Sequence, residues 1–121
     1  MIHFTKLAGI LGFVALVLGA FGAHGLGAWL DESGHLDTWE TATLYLFVHS
    51  LALLALSSGA PDKCLIVAGW FWFAGSLLFS GSLYLLSLTN LGILGAITPV
   101  GGLLFLVGWC SIIYFGFLRK E

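Results

Sequence analysis

Residues 64–118 read CLIVAGWFWFAGSLLFSGSLYLLSLTNLGILGAITPVGGLLFLVGWCSIIYFGFL and contain no Asp, Glu, Lys, Arg or His. A water-soluble domain cannot carry 55 such residues in a row, because a folded surface needs charge to stay dissolved. The whole chain of 121 residues agrees: 8 % are charged, against about 25 % in ordinary globular domains, and the mean hydropathy is +1.06. The composition is that of an all-α integral membrane protein.

A helix that crosses a hydrocarbon core of ~30 Å needs about 20 apolar residues at 1.5 Å rise each. The quoted stretch holds two crossings, at about 63–88 and 97–118, and working back along the chain gives two more, at about 5–25 and 38–58. The first is expected to run on, in part, through Leu26, Gly27, Ala28, Trp29 and Leu30. Residues 31–37 form the only polar run, and residues 59–63 a tight turn in which Gly59 and Pro61 end the second helix. Residues 89–96 are apolar for a connector, so they are expected in the interface or folded back into the membrane. No repeat, linker or low-complexity tract divides the chain, and one domain over 1–121 is the simplest organisation. Lys6 followed by an apolar run and Ala20-Phe21-Gly22 imitates a signal peptide with its cleavage site. Three further spans follow, however, and the first has a packing face, so it reads as a retained helix.

With four spans drawn, the four cations fall on one side: Lys6, Lys63, Arg119 and Lys120. Asp31, Glu32, Asp37 and Glu40 fall on the other with no Lys or Arg. The positive-inside rule then places both termini in the cytoplasm. The net charge of −2 is sorted by side rather than pooled in a basic patch, and no nucleic-acid partner is indicated. Cys64 lies at the cytoplasmic end of the third span and Cys110 in the middle of the fourth, too far apart in depth to bridge. Both are expected as buried thiols packing like small apolar groups.

Helices in lipid approach closely where small or weakly polar side chains share a face. Such faces are legible in every span. The first carries Ala8, Gly12, Ala15, Gly19, Gly22 and Ala23; the second Thr41, Ala42, Tyr45, His49 and Ala52. The third carries Gly69, Phe73, Ser76, Ser80, Tyr84 and Ser87; the fourth Thr98, Gly101, Gly102, Phe105, Trp109 and Gly116. The pattern predicts an antiparallel four-helix transmembrane bundle. Trp29 and Trp39 suit interfacial anchors at the outer surface. Trp70, Phe71, Trp72 and Phe73 read as bulk for lipid and bundle contacts.

Ionisable groups at membrane depth are costly and therefore candidates for function. His49 is the deepest, and shares its face with Tyr45 and Thr41. The third span offers Ser76 and Ser80 at comparable depth, and Tyr84 a turn further out. The candidate polar cluster is His24, Glu40, Tyr45, His49, Ser76, Ser80 and Tyr84. One reading is a neutral imidazole that fixes helix register by a hydrogen bond; the other is a proton-relay or solute-binding residue. His24 and Glu40 are expected to pair and tie the first span to the second. Neither haem nor a metal is expected: His24 and His49 differ in height, and a third ligand would have to come from another face. No nucleophile–base pair or paired carboxylates occur, and the spacing of Gly19, Gly22 and Gly25 follows no strand, so it is no dinucleotide fingerprint; it reads instead as close backbone approach and a helix break near the outer surface. No cofactor is indicated and the chain reads as a non-enzyme.

Four ordered motifs carry a family resemblance. They are Gly19 to Gly25; Trp39, Thr41, Ala42, Tyr45 and His49; Phe79 to Tyr84; and Ile97, Thr98, Pro99, Gly101 and Gly102 through Gly108 and Trp109. Together they resemble the small membrane-protein family catalogued as domain of unknown function 423, over nearly the whole chain. The resemblance implies a four-helix protein of the bacterial inner membrane with no established activity. It draws attention to His24, Tyr45, His49, Ser80, Ser82, Tyr84, Thr98 and Pro99, and transfers no catalytic residue. The leading expectation is a structural or accessory protein, solvated by membrane lipid, that forms a homo-oligomer or joins another membrane protein. The competing one is a small transporter or channel with a polar site around His49, Tyr45, Ser80 and Tyr84.

Overall fold

The computed structural model describes residues 2–119, with the side chains of 3–119. Lys120, one of the four sorted cations, lies outside the described residues. The chain forms α1 (Ile2–Ala23), α2 (Gly27–Ser33), α3 (Leu36–Ser57), α4 (Lys63–Thr89) and α5 (Leu94–Leu118), with no strand among the described residues. Four of the five helices are long and apolar enough to cross a membrane: α1 from His3, α3, α4 and α5.

The first span does not run on through Leu30. It stops at Ala23, where the chain turns on the bonds His24 N–H to Ala20 O and Leu26 N–H to Phe21 O. The turn brings Gly27 so close to the Gly22 carbonyl that a Cβ on Gly27 would fall 2.8 Å from that oxygen. Only a glycine fits there, and a continuous helix is broken. The polar run is correspondingly less of a loop than its composition suggests. Residues 27–33 form a short helix that buries Leu30 and exposes Trp29. Gly34 ends it with φ 79°, its N–H turned back to the carbonyls of Leu30 and Asp31, and α3 starts two residues later.

Asp62 caps α4, its carboxylate accepting from Cys64 N–H at 2.8 Å. Asn90 ends α4 with φ 56° and donates its N–H to Leu86 O. The apolar connector is then short rather than re-entrant. Leu94, Gly95 and Ala96 donate to the carbonyls of Leu91, Gly92 and Ile93, so α5 is under way five residues before Pro99.

Small residues set much of the packing, as read from the sequence, and several accept a large partner. Between α1 and α3, Gly12 faces Ser50, Gly19 the Thr43 methyl and Gly22 the Trp39 indole. Between α4 and α5, Gly75 receives the Phe105 ring, Gly101 the backbone of Phe79, and Gly108 the Trp72 indole. Ser111 donates to Cys64 O at 2.7 Å and the Ser82 and Thr98 hydroxyls meet at 2.6 Å. The Phe4 ring fills the notch at Gly69, joining the first turn of α1 to the second turn of α4. Some residues assigned to these faces point elsewhere: Ala23, Thr41 and Tyr45 are exposed, and Gly116 has open space where a Cβ would stand. Cys110 is exposed on α5, not buried; Cys64 is half-buried, and both are free thiols.

Candidate functional site

Two polar arrangements form in the interior, and each depends on a helix pairing. The first lies where α1, α3 and α4 meet. Trp39, expected at the lipid interface, is 2 % exposed. Its indole slides into the space left by Gly22 and donates to the Leu18 carbonyl of α1 at 2.7 Å. The Tyr84 ring stands edge-on to it, centroids 4.6 Å apart. The Thr43 hydroxyl donates to Trp39 O at 3.1 Å, which uses its single proton, so the Tyr84 hydroxyl 2.6 Å away donates to Thr43. Ser80 adds a second tie between α4 and α3, donating to Ala42 O at 2.8 Å.

The second arrangement is centred on His49, which is 3 % exposed. Its Nε2 lies 3.1 Å from the indole nitrogen of Trp109 on α5. An indole N–H only donates, so Nε2 accepts and carries no proton. The hydrogen-bond network thereby assigns the proton to Nδ1, which donates to Tyr45 O at 2.8 Å. The imidazole is neutral and both nitrogens are engaged. Its face lies parallel to the Phe105 ring, centroids 3.6 Å apart and planes 5° apart. Trp72 and Trp109 present edges to it at 6.1 and 6.0 Å.

Trp72 completes this aromatic group at a cost. Its ring fills the hole at Gly108, and its Nε1 is buried with no hydrogen-bond partner, a penalty of about 1–3 kcal/mol.

The seven candidate residues therefore do not converge. Ser80 and Tyr84 share the α3–α4 junction, while His49 turns to α5. Ser76 bonds its own helix at Trp72 O. The Tyr45 ring, 41 % exposed, packs on Phe79 and Phe105. His24 and Glu40 are both exposed, His24 in the turn after α1. The tie between the first two spans is Trp39 to Leu18, not a His24–Glu40 pair. Phe105 and Trp109 were legible as packing-face residues at i and i+4, but their pairing with His49 was not. Thr43 and the burial of Trp39 were missed altogether.

A cleft of about 270 Å³ separates α1 from α4 above Leu46. Leu7, Leu11, Val14 and Phe73 wall it, and Ser76, Ser80 and Tyr84 reach it; His49 and Tyr45 do not. The hydroxyls of those three are already bonded within the protein. Among the described residues no three His, Cys, Asp or Glu side chains gather as metal ligands.

Residues 18–102 match the family model described as protein of unknown function DUF423. A Staphylococcus aureus (strain bovine RF122 / ET3-1) protein named as a UPF0382 membrane protein is 46 % identical over 112 residues, covering 91 % of each chain. The UPF0382 membrane protein YwdK of Bacillus subtilis (strain 168) is 44 % identical over 115 residues, covering 91 % of this chain and 92 % of its own. A Staphylococcus saprophyticus protein of the same description is 46 % identical over 91 % of this chain and 92 % of its own. No solved structure matches the chain significantly.

Proposed function

The chain belongs to the DUF423 family of membrane proteins of unknown function, and from that premise we propose that it is a non-enzymatic structural or accessory protein of the bacterial cytoplasmic membrane. In this reading it is a single antiparallel four-helix bundle that self-associates or joins a larger membrane complex. One observation carries it. The buried polar side chains of the candidate set spend their hydrogen bonds inside the bundle: His49 on Tyr45 and Trp109, Tyr84 on Thr43, Ser80 on Ala42, Ser76 on Trp72. The hydroxyl protons and both ring nitrogens of His49 are thus committed inside the protein, and all but the Ser76 bond also fix the helices or the ring in place.

The contact ladders support the antiparallel arrangement. Along α4 the contacts at 64, 72, 75, 79 and 82 meet α5 at 111, 108, 105, 101 and 98. Lys6 near the start of α1, Lys63 at the start of α4 and Arg119 just after α5 then share one end, which the positive-inside rule places in the cytoplasm. Bulky apolar side chains stand exposed on every span, including Phe13, Leu16, Leu51, Leu77, Leu103 and Phe117. Lipid, a second copy or a larger partner is what can cover them.

Passage of a solute or proton is the second reading, and the cleft reaching Ser80 and Tyr84 is what favours it. A flux measurement separates the two. In reconstituted vesicles, His49→Ala and Tyr84→Phe leave solute and proton permeability at the level of the unsubstituted protein while lowering its thermal midpoint. Loss of a measurable flux at unchanged stability overturns the structural reading.

A further inference from the structure

The His49–Trp109 bond differs from the other ties in one respect: its acceptor can be switched off. A carbonyl or hydroxyl oxygen accepts at any physiological pH, whereas an imidazole nitrogen loses its lone pair when it takes a proton. Among the described residues it is also the only side-chain hydrogen bond that joins α3 to α5. With Nδ1 held by Tyr45 O, an added proton must go to Nε2. Two N–H groups would then face each other across 3.1 Å, and the indole has to leave.

The buried, carboxylate-free surroundings favour the neutral ring, and the aromatic faces give the charged one partial compensation. Of the groups that face the ring, Tyr45 on α3 is the titratable one; α4 presents Trp72, and α5 presents Phe105 and Trp109. No carboxylate or cation faces it from these helices. An imidazolium formed there would lie flat on Phe105 at 3.6 Å, with the Trp72 ring close by, and gain cation–π attraction in place of the lost bond. Trp109 is 40 % exposed, so it can swing outward, giving up its ring contact with Trp72 at 4.5 Å. The neighbouring Gly108 and Gly101, seated on Trp72 and Phe79, keep α5 docked meanwhile.

We propose that His49 and Trp109 form a protonation-sensitive latch between α3 and α5: the neutral imidazole holds the indole in place, and uptake of one proton at Nε2 releases it toward the lipid. This rests on the reading of His49 as a tie between helices, and the test separates the two.

The measurement is the ¹H–¹⁵N spectrum of the full chain in bicelles between about pH 8 and pH 5. The Trp109 indole peak is assigned by its loss in Trp109→Phe, and the His49 ring by its nitrogen shifts. At neutral pH the Trp109 peak should sit at a hydrogen-bonded position and be displaced in His49→Ala; if it is not displaced, the tie itself is wrong, and the latch with it. On acidification it should leave that position in step with the His49 nitrogens. In His49→Gln, whose side-chain oxygen accepts and does not ionise, it should stay. Titration of His49 without movement of Trp109 overturns the latch and leaves the tie. So does equal movement in His49→Gln, or an imidazole that stays neutral until the protein unfolds.

Discussion

Tyr84 shows how much a single hydroxyl can organise in a protein with few polar groups. Its proton goes to Thr43, Thr43's goes to the Trp39 carbonyl, and the Trp39 indole crosses to Leu18. Three helices are joined by this short run. Hydrogen bonds between membrane helices contribute about 0.6 to 1.7 kcal/mol each, because the separated helices also find partners. Tyr84→Phe combined with Thr43→Val should therefore show a coupling energy of about that size in a double-mutant cycle, read from denaturation in mixed micelles. Additive effects would mean that the two hydroxyls do not bond. Tyr84 and His49 stood out in the sequence as polar groups at membrane depth. Thr43 did not, since a threonine in an apolar helix commonly satisfies itself on its own backbone.

At the scale of the helix, the sequence marked where close approach is possible and the structure shows what approaches. Gly101 rests on the backbone of Phe79, which cannot move aside as a side-chain tip can. Gly101→Ala should lower stability by about 1–3 kcal/mol, an overpacking cost. Gly116→Ala, at a position with nothing within 4 Å, should stay within about 0.5 kcal/mol of the parent protein. Equal losses at both positions would refute the contact. Gly34 is required for another reason: at φ 79° a Cβ is strained. Gly34→Ala should cost about 1 kcal/mol or more and loosen the corner between α2 and α3, visible as faster amide exchange at His35, whose N–H is held by Leu30 O. The break that creates α2 was signalled by the glycines at 19, 22 and 25, although residues 26–30 are as apolar as a span. The turn bonds after Ala23 and the approach of Gly27 to Gly22 O fix where it falls.

For the molecule as a whole, the sorting of charge is the decisive feature. Lys6 and Arg119 should be reached from the cytoplasmic side, and Glu32 from the other. In a chain whose two cysteines are replaced by serine, an impermeant maleimide should label Glu32→Cys on intact cells. It should label Lys6→Cys and Arg119→Cys only after the membrane is opened. Labelling of Lys6→Cys and Arg119→Cys from opposite faces would refute the four-span topology.

The number of long apolar helices, their approximate limits and many of the small residues at their contacts were determined by the sequence alone. Those properties follow from a run of apolar residues and a period of 3.6, both of which are local. Tertiary structure decided that Trp39 is buried, that Cys110 faces outward, and that the histidine of α3 is served by α5 rather than by the serines of α4. Rotation and pairing of helices come from matching small residues to side chains on another helix, as Gly108 is matched to Trp72 and Gly22 to Trp39. That match joins positions far apart along the chain, so no pattern within one segment can announce it.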